Sequence, residues 1–132
     1  PGARVLGRGV GEGFAPRGPH RCLVAEVGAA GCVGFASSGR FRTKAAYDPC
    51  VETSVYVDPA WLGRGLGRRL YVALFEALAG EPVHRAVAGI TLPNPASVAL
   101  HQRLGFREVG VFDEVGRKHG RWWSVLWMQK DL

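Results

Sequence analysis

The chain has 132 residues, 47% hydrophobic and 21% charged, with a net charge of +6. This is enough for one domain with its own core, and no apolar run approaches the ~18 residues of a membrane span, so neither a membrane-spanning nor a disordered chain is expected. Cys22, Cys32 and Cys50 are odd in number and lack a CxxC spacing. That argues against a disulfide framework or a zinc site, and with no evident signal peptide it points to the cytoplasm. The basic residues are spread along the chain, which suits an anionic cofactor better than a nucleic acid.

Pro1 to His20 holds six glycines, three prolines and three arginines with no apolar period, so residues 1–20 are expected to be loosely ordered or laid over a domain spanning 21–132. Arg21–Val27 reads as a strand, 28–31 as a turn and Cys32–Ala36 as the returning strand of a hairpin. A polar, basic loop (37–49) follows. Val51–Val57 then alternates, with Val51, Thr53, Val55 and Val57 on one face and Glu52, Ser54 and Tyr56 on the other. Asp58-Pro59 ends that strand, because proline cannot donate to the ladder.

Gly63-Arg64-Gly65-Leu66-Gly67-Arg68-Arg69 comes next and leads into a helix over 66–78, with Leu66, Leu70, Leu74, Ala77 and Leu78 as its apolar stripe. Glycines between a strand and a helix leave backbone N–H groups pointing outward. The helix dipole and the arginines add positive charge, so the loop is suited to hold phosphates. The spacing is neither that of a dinucleotide fold nor a Walker A loop. Gly80 and Pro82 stop the helix, and Arg85–Ile90 is a short apolar strand, as expected of a buried parallel neighbour.

Asn94-Pro95 opens a second helix, a capping residue followed by proline at the first helical position, with Leu100 and Leu104 facing inward and Gly105 at its end. Phe106–Phe112 and Trp122–Gln129 are the last two strands, separated by a polar turn over 113–120. At least one aromatic face of the final strand is expected in the core. The order of elements gives an α+β chain with a mixed sheet.

Taken in order, Val55-Tyr56-Val57, the glycine loop, Leu92-Pro93-Asn94 and Leu100-His101-x-x-Leu104-Gly105-Phe106 resemble the GNAT N-acetyltransferases. Ala46-Tyr47 before Glu52, and Gly116-x-Lys118-His119-Gly120-x-Trp122, narrow the resemblance to the phosphinothricin acetyltransferase branch. It runs from about Leu23 to the C-terminus. It implies the GNAT fold without its usual first strand and helices, since only the glycine-rich segment stands in their place. Acetyl-CoA is then the owner of the phosphates, with the pantetheine arm along Val55, Tyr56 and Val57 where two strands splay. The pyrophosphate lies on Gly63, Arg64, Gly65, Leu66, Gly67 and Arg68, with Asn94 and Ser97 beside the arm. An ordinary helix cap is the other reading of Asn94. Leu62 stands where the family carries Gln or Arg.

The resemblance also assigns the chemistry. An ammonium must lose a proton before it attacks a thioester, and Glu52 occupies the position of the family's base. A solvated glutamate on a polar strand face is the alternative. A strand N–H near Tyr56 or Val57 would meet the oxyanion. His101 sits where many relatives carry a tyrosine that protonates the leaving thiolate, although a partly buried structural histidine would look the same in sequence. Tyr47, Tyr56, Lys118 and His119 are the candidates for the acceptor pocket, and Ser124 replaces a common aspartate. The function implied is transfer of acetyl from acetyl-CoA to the amine of a small amino-acid-like acceptor, in a homodimer without metal, nucleic acid or membrane. An acyl-CoA-binding module with little turnover is the second reading.

Overall fold

The computed structural model describes residues 2–7 and 14–132. Among the described residues seven strands form one sheet: β1 (Arg4–Gly7), β2 (Cys22–Val27), β3 (Gly31–Arg40), β4 (Cys50–Val57), β5 (Arg85–Thr91), β6 (Arg107–Lys118) and β7 (Arg121–Asp131). The order across the sheet is β1-β2-β3-β4-β5-β7-β6. Every neighbouring pair is antiparallel except β4 and β5. The parallel pair needs a crossover, and α1 (Leu66–Leu78) supplies it. A second helix, α2 (Pro95–Arg103), links β5 to β6.

Of the stripe expected on α1, Leu66, Leu70, Leu74 and Leu78 are buried and Ala77 is half-buried, and Tyr71 joins the buried set. These side chains pack over Ala25, Val27, Val33, Val51, Ala86, Ala88, Ile90, Leu126 and Met128. Fully burying one such leucine contributes roughly 1.5–3 kcal/mol. On α2 the expectation fails in detail. Leu100 and Leu104 are only half-buried, and the buried residue is His101, at 2% exposure. Where α1 crosses α2, a Cβ on Gly67 would lie 3.1 Å from Leu100 Cδ2, so the two helices meet at a glycine.

Three stretches differ from the sequence expectation. No regular element is expected before Arg21, yet Arg4–Gly7 adds an edge strand to β2, which needs backbone pairing and little side-chain pattern. The next described residues are pinned as well. Ser38 Oγ donates to the Pro19 carbonyl at 2.7 Å and accepts from the Arg21 N–H at 3.0 Å, and the Arg69 guanidinium reaches the Ala3 carbonyl at 2.7 Å. Second, β3 runs on to Arg40, taking up part of the expected loop, with Ser37 and Ser38 buried.

Third, the expected turn over 113–120 is mostly strand. β6 and β7 form a long ribbon that reverses at His119 (φ 54°) and Gly120 (φ 73°). The positive φ at both positions is what a two-residue hairpin with right-handed strand twist requires. No tryptophan of β7 is buried. Trp122 is exposed, Trp123 and Trp127 are half-buried, and the inward residues are Leu126 and Met128.

Candidate functional site

β4 and β5 begin as a regular parallel pair, Cys50 opposite Arg85, Val51 opposite Ala86 and Glu52 opposite Val87, and then part. Beyond Glu52 the two strands share no ladder, so the backbone edges that face each other are left to solvent or a ligand. The gap is a cleft of about 290 Å³ lined by Glu52–Val55, Tyr71, Ala88–Thr91, Asn94, Ser97 and His101. Glu52, half-buried, stands where the strands part. On the core-facing side of β5, Ala88 and Ile90 are buried, while Trp127 lies on the opposite side of the strand against Gly89.

The glycine loop sits at the start of α1. Asp58 Oδ1 accepts from the Ala60 N–H at 2.8 Å and sets the short turn Pro59–Trp61 that ends β4. Gly63 and Gly65 then take positive φ (76° and 75°), a conformation that glycine adopts without strain. Gly65 is the helix cap, and it has no side chain to accept from the first-turn N–H groups. No acidic residue occupies that turn either. An uncapped, positively polarised helix start fits an anion such as a pyrophosphate. The Arg64 guanidinium lies 4.3 Å over the Trp61 ring, which holds the loop's charge beside this position.

Asn94 is the α2 cap: its Oδ1 accepts the Ser97 N–H at 3.1 Å. This is the ordinary structural role, and Asn94 lines the cleft at the same time. The His101 ring is locked inside. Nδ1 lies 2.7 Å from the Ser97 carbonyl oxygen, which can only accept, so Nδ1 carries the hydrogen. Nε2 lies 2.7 Å from the Tyr71 hydroxyl, which donates to it in the neutral ring. Tyr71 Oη is in turn 3.1 Å from Thr53 Oγ1, itself 3.5 Å from the Val87 carbonyl. Burial lowers the His101 pKa, partly offset by the Ser97 hydrogen bond, and burial pushes the Tyr71 phenol up to about 12 despite Thr53. Both groups are neutral at pH 7.

The acceptor candidates do not converge. Tyr47 lines an open cavity of about 460 Å³ with Phe41, Arg42, Cys50, Arg85, Val87, Phe112 and Trp127. Lys118 and His119 line another, of about 600 Å³, with Thr91, Gly116, Arg117, Trp123 and Val125. The first lies on the β4 face that carries Cys50 and, by alternation, Glu52. The second shares Thr91 with the cleft. Tyr56 is exposed beside Phe35 and belongs to neither. Ser124 Oγ accepts the Glu114 N–H at 3.1 Å, so it serves the β6 bulge. Among the described residues no group of three or more His, Cys, Asp or Glu could hold a metal ion. No described helix is long and apolar enough to cross a membrane.

Sequence reasoning missed Tyr71 and Thr53. The only signal was polarity in apolar company, a threonine on the inward face of β4 and a tyrosine beside the leucine stripe of α1. Arg42, Phe112 and Trp127, brought together from distant elements, left no signal at all.

The profile of the acetyltransferase (GNAT) family matches residues 7–106. An N-acetyltransferase of Streptomyces griseus is 51% identical over 119 residues, 87% of this chain and 61% of that protein. Phosphinothricin N-acetyltransferase of Streptomyces coelicolor is 52% identical over 116 residues, 87% of this chain and 68% of that protein. Among solved structures, yncA of Salmonella typhimurium with its cofactor acetyl-CoA superposes with a TM-score of 0.80 at 40% identity, over 86% of this chain and 65% of that one. The chain thus spans about 61–68% of the length of these three relatives. It belongs to the GNAT acetyltransferase family and resembles its phosphinothricin acetyltransferase branch.

Proposed function

We propose that this GNAT-family chain carries the acetyl-CoA site of an N-acetyltransferase whose acceptor is the primary amine of a small, amino-acid-like molecule. The observation that carries the proposal is the parting of β4 from β5 directly after Glu52, with an uncapped glycine helix start at the other end of β4. The backbone of Val55, Tyr56 and Val57 would pair with an extended amide-bearing arm as a strand would. The N–H groups from Gly63 to Arg68 would hold its pyrophosphate, with Asn94 and Ser97 along the opposite wall. Acetyl-CoA supplies an activated thioester.

The rest is the work of this chain's own groups. Glu52, at the point of parting, takes a proton from the acceptor ammonium so that a neutral amine can attack. The parted edge of β4 offers N–H groups of fixed direction to the developing negative charge. The Tyr47 cavity accommodates the acceptor's side chain, and Lys118 and His119, beside the Thr91 mouth of the cleft, meet its carboxylate. Phosphinothricin, the substrate that names one relative, is an acceptor of this class.

The test is thiol release from acetyl-CoA in the presence of single amino acids and their phosphinate or sulfone analogues. Wild type is expected to release thiol only when an acceptor is present, and Glu52→Gln to lower kcat by about 10²–10⁴. Binding of acetyl-CoA without amine-dependent thiol release would instead mark a binding module.

A further inference from the structure

The histidine of the cleft does not meet the reacting groups by itself. It is 2% exposed and both of its ring nitrogens are engaged, Nδ1 by the Ser97 carbonyl and Nε2 by the Tyr71 hydroxyl, each at 2.7 Å. The basic nitrogen of His101 is therefore reached through Tyr71, while Ser97 Oγ, 3.4 Å from Nδ1, meets only the nitrogen that already carries its hydrogen. The phenol is fully buried, stacked on Phe75 at 5.4 Å and edge-on to His101 at 5.1 Å, so its ring has one position. From there its oxygen reaches Thr53 Oγ1 on β4. Resting on the proposed acetyl transfer, we propose that Tyr71 is the positioning residue of this site. Its hydroxyl engages Nε2 of the tautomer that the Ser97 carbonyl sets, and passes protons between the imidazole and the cleft through Thr53.

The chain of hydroxyls has two directions. With His101 neutral, Thr53 O–H donates to Tyr71 Oη and Tyr71 O–H donates to Nε2. A proton accepted at Thr53 Oγ1 displaces Thr53's own proton to Tyr71 and Tyr71's to Nε2. Every bond then runs the other way: Nε2–H to Tyr71, Tyr71 to Thr53, and Thr53 free to turn to the Val87 carbonyl, 3.5 Å away. Val87 forms the last rung between β4 and β5 with Glu52, and Thr53 is the next residue beyond it, so the chain ends where the strands part. In the reaction an acceptor ammonium gives up two protons as its nitrogen becomes an amide. One leaves through Glu52 to water. The other is held at His101 and returned along the same hydroxyls to the sulfur as the C–S bond breaks and its electron pair stays on sulfur. The titratable groups facing this space are Glu52 from β4, Tyr71 from α1 and His101 from α2. Buried cost disfavours the imidazolium, which makes the stored proton easy to return.

The experiment compares wild type with Tyr71→Phe, which keeps the ring contacts and removes one oxygen, and Thr53→Val, which cuts the far end and leaves the Tyr71–His101 bond. Two readouts are taken: the ¹⁵N signals of the His101 ring in the ligand-free protein, and kcat, KM and the pH profile with a small amine. Wild type is expected to show Nδ1–H and a hydrogen-bonded Nε2. In Tyr71→Phe the Nε2 signal should move to that of an unbonded ring nitrogen. Its kcat should fall by about 100-fold, the lower end of what a proton-transfer group contributes, with KM for acetyl-CoA within about twofold and the low-pH limb of kcat displaced. Thr53→Val should lower kcat without moving the tautomer, and it decides the matter if Tyr71→Phe does not fold. Normal kcat and an unmoved limb in both variants would overturn this inference while leaving the acetyl-transfer reading intact. A wild type without amine-dependent thiol release would overturn that reading and the kinetic role together, with the His101 signals still showing whether Tyr71 holds Nε2.

Discussion

Glu52 and His101 show how differently two polar residues of one cleft are treated. Glu52 stays half-buried at a strand end, while His101 is enclosed by Tyr71, Phe106 and the Ser97 carbonyl. Burial lowers the His101 pKa in the folded chain below the 6.5 of a free imidazole, so the unfolded chain binds more protons. Stability contributed by neutral His101 is therefore full above pH 6.5 and is lost as pH falls from there through the lowered folded value. Urea unfolding at a series of pH values should show ΔG decreasing below pH 6.5, and His101→Asn should flatten that part of the slope. An unchanged slope in the variant would mean that other groups carry it. From the sequence, His101 could be placed on a helix but not inside one wall of a cleft. Nine residues of α2 give too few turns for a period to say which face is buried.

At the scale of elements, α1 was legible to the residue. Its leucine stripe runs at helical spacing between Gly65, which caps it, and Gly80 and Pro82 just past its end, so local rules and burial agree. The β6–β7 ribbon was not. Asp113, Glu114, Gly116, Arg117 and Lys118 read as a turn, yet both faces of β6 beyond Phe106 are almost wholly exposed, so no apolar alternation is needed to hold them in a strand. β1 was missed because four edge residues pair through backbone alone. The meeting of α1 with α2 at Gly67 bears directly on the site, because it fixes the distance from Tyr71 to His101. Gly67→Val would drive a branched side chain against Leu100 Cδ2, where even a Cβ has only 3.1 Å. It should cost about 1–3 kcal/mol in a denaturant titration. It should also detach the His101 Nε2 signal from Tyr71.

For the molecule as a whole, the α+β class and the ordered glycine loop, cap and strand motifs were enough to identify the family. The sheet order was out of reach, because β7 inserts between β5 and β6 by pairing residues some 40 positions apart, such as Ile90 with Leu126, and nothing local encodes that choice. The same non-local assembly brings Phe41, Arg42 and Tyr47 to Trp127 and Phe112, and separates Tyr47 from Lys118 and His119. The proposed acceptor region would thus be built from three distant stretches, whereas the proposed cofactor groove uses one continuous run from β4 through α1 plus the start of α2. A tyrosine at the one cavity and a cation at the other should then act separately. Tyr47→Ala and Lys118→Ala should each raise the KM of the acceptor and leave that of acetyl-CoA unchanged, with the double variant showing the product of the two effects.

The most direct test of the central claim, that the parted strands and the glycine helix start hold acetyl-CoA, is the melting temperature with and without acetyl-CoA for wild type and Gly65→Glu. Glutamate at this position meets a positive φ and sets a carboxylate where a pyrophosphate would lie. A ligand present at 100 times its Kd adds about 2.7 kcal/mol, which raises Tm by roughly 8–10 °C for a domain of this size. Wild type should show a rise of that order and Gly65→Glu little or none. No rise in wild type, or an equal rise in both, would contradict the claim.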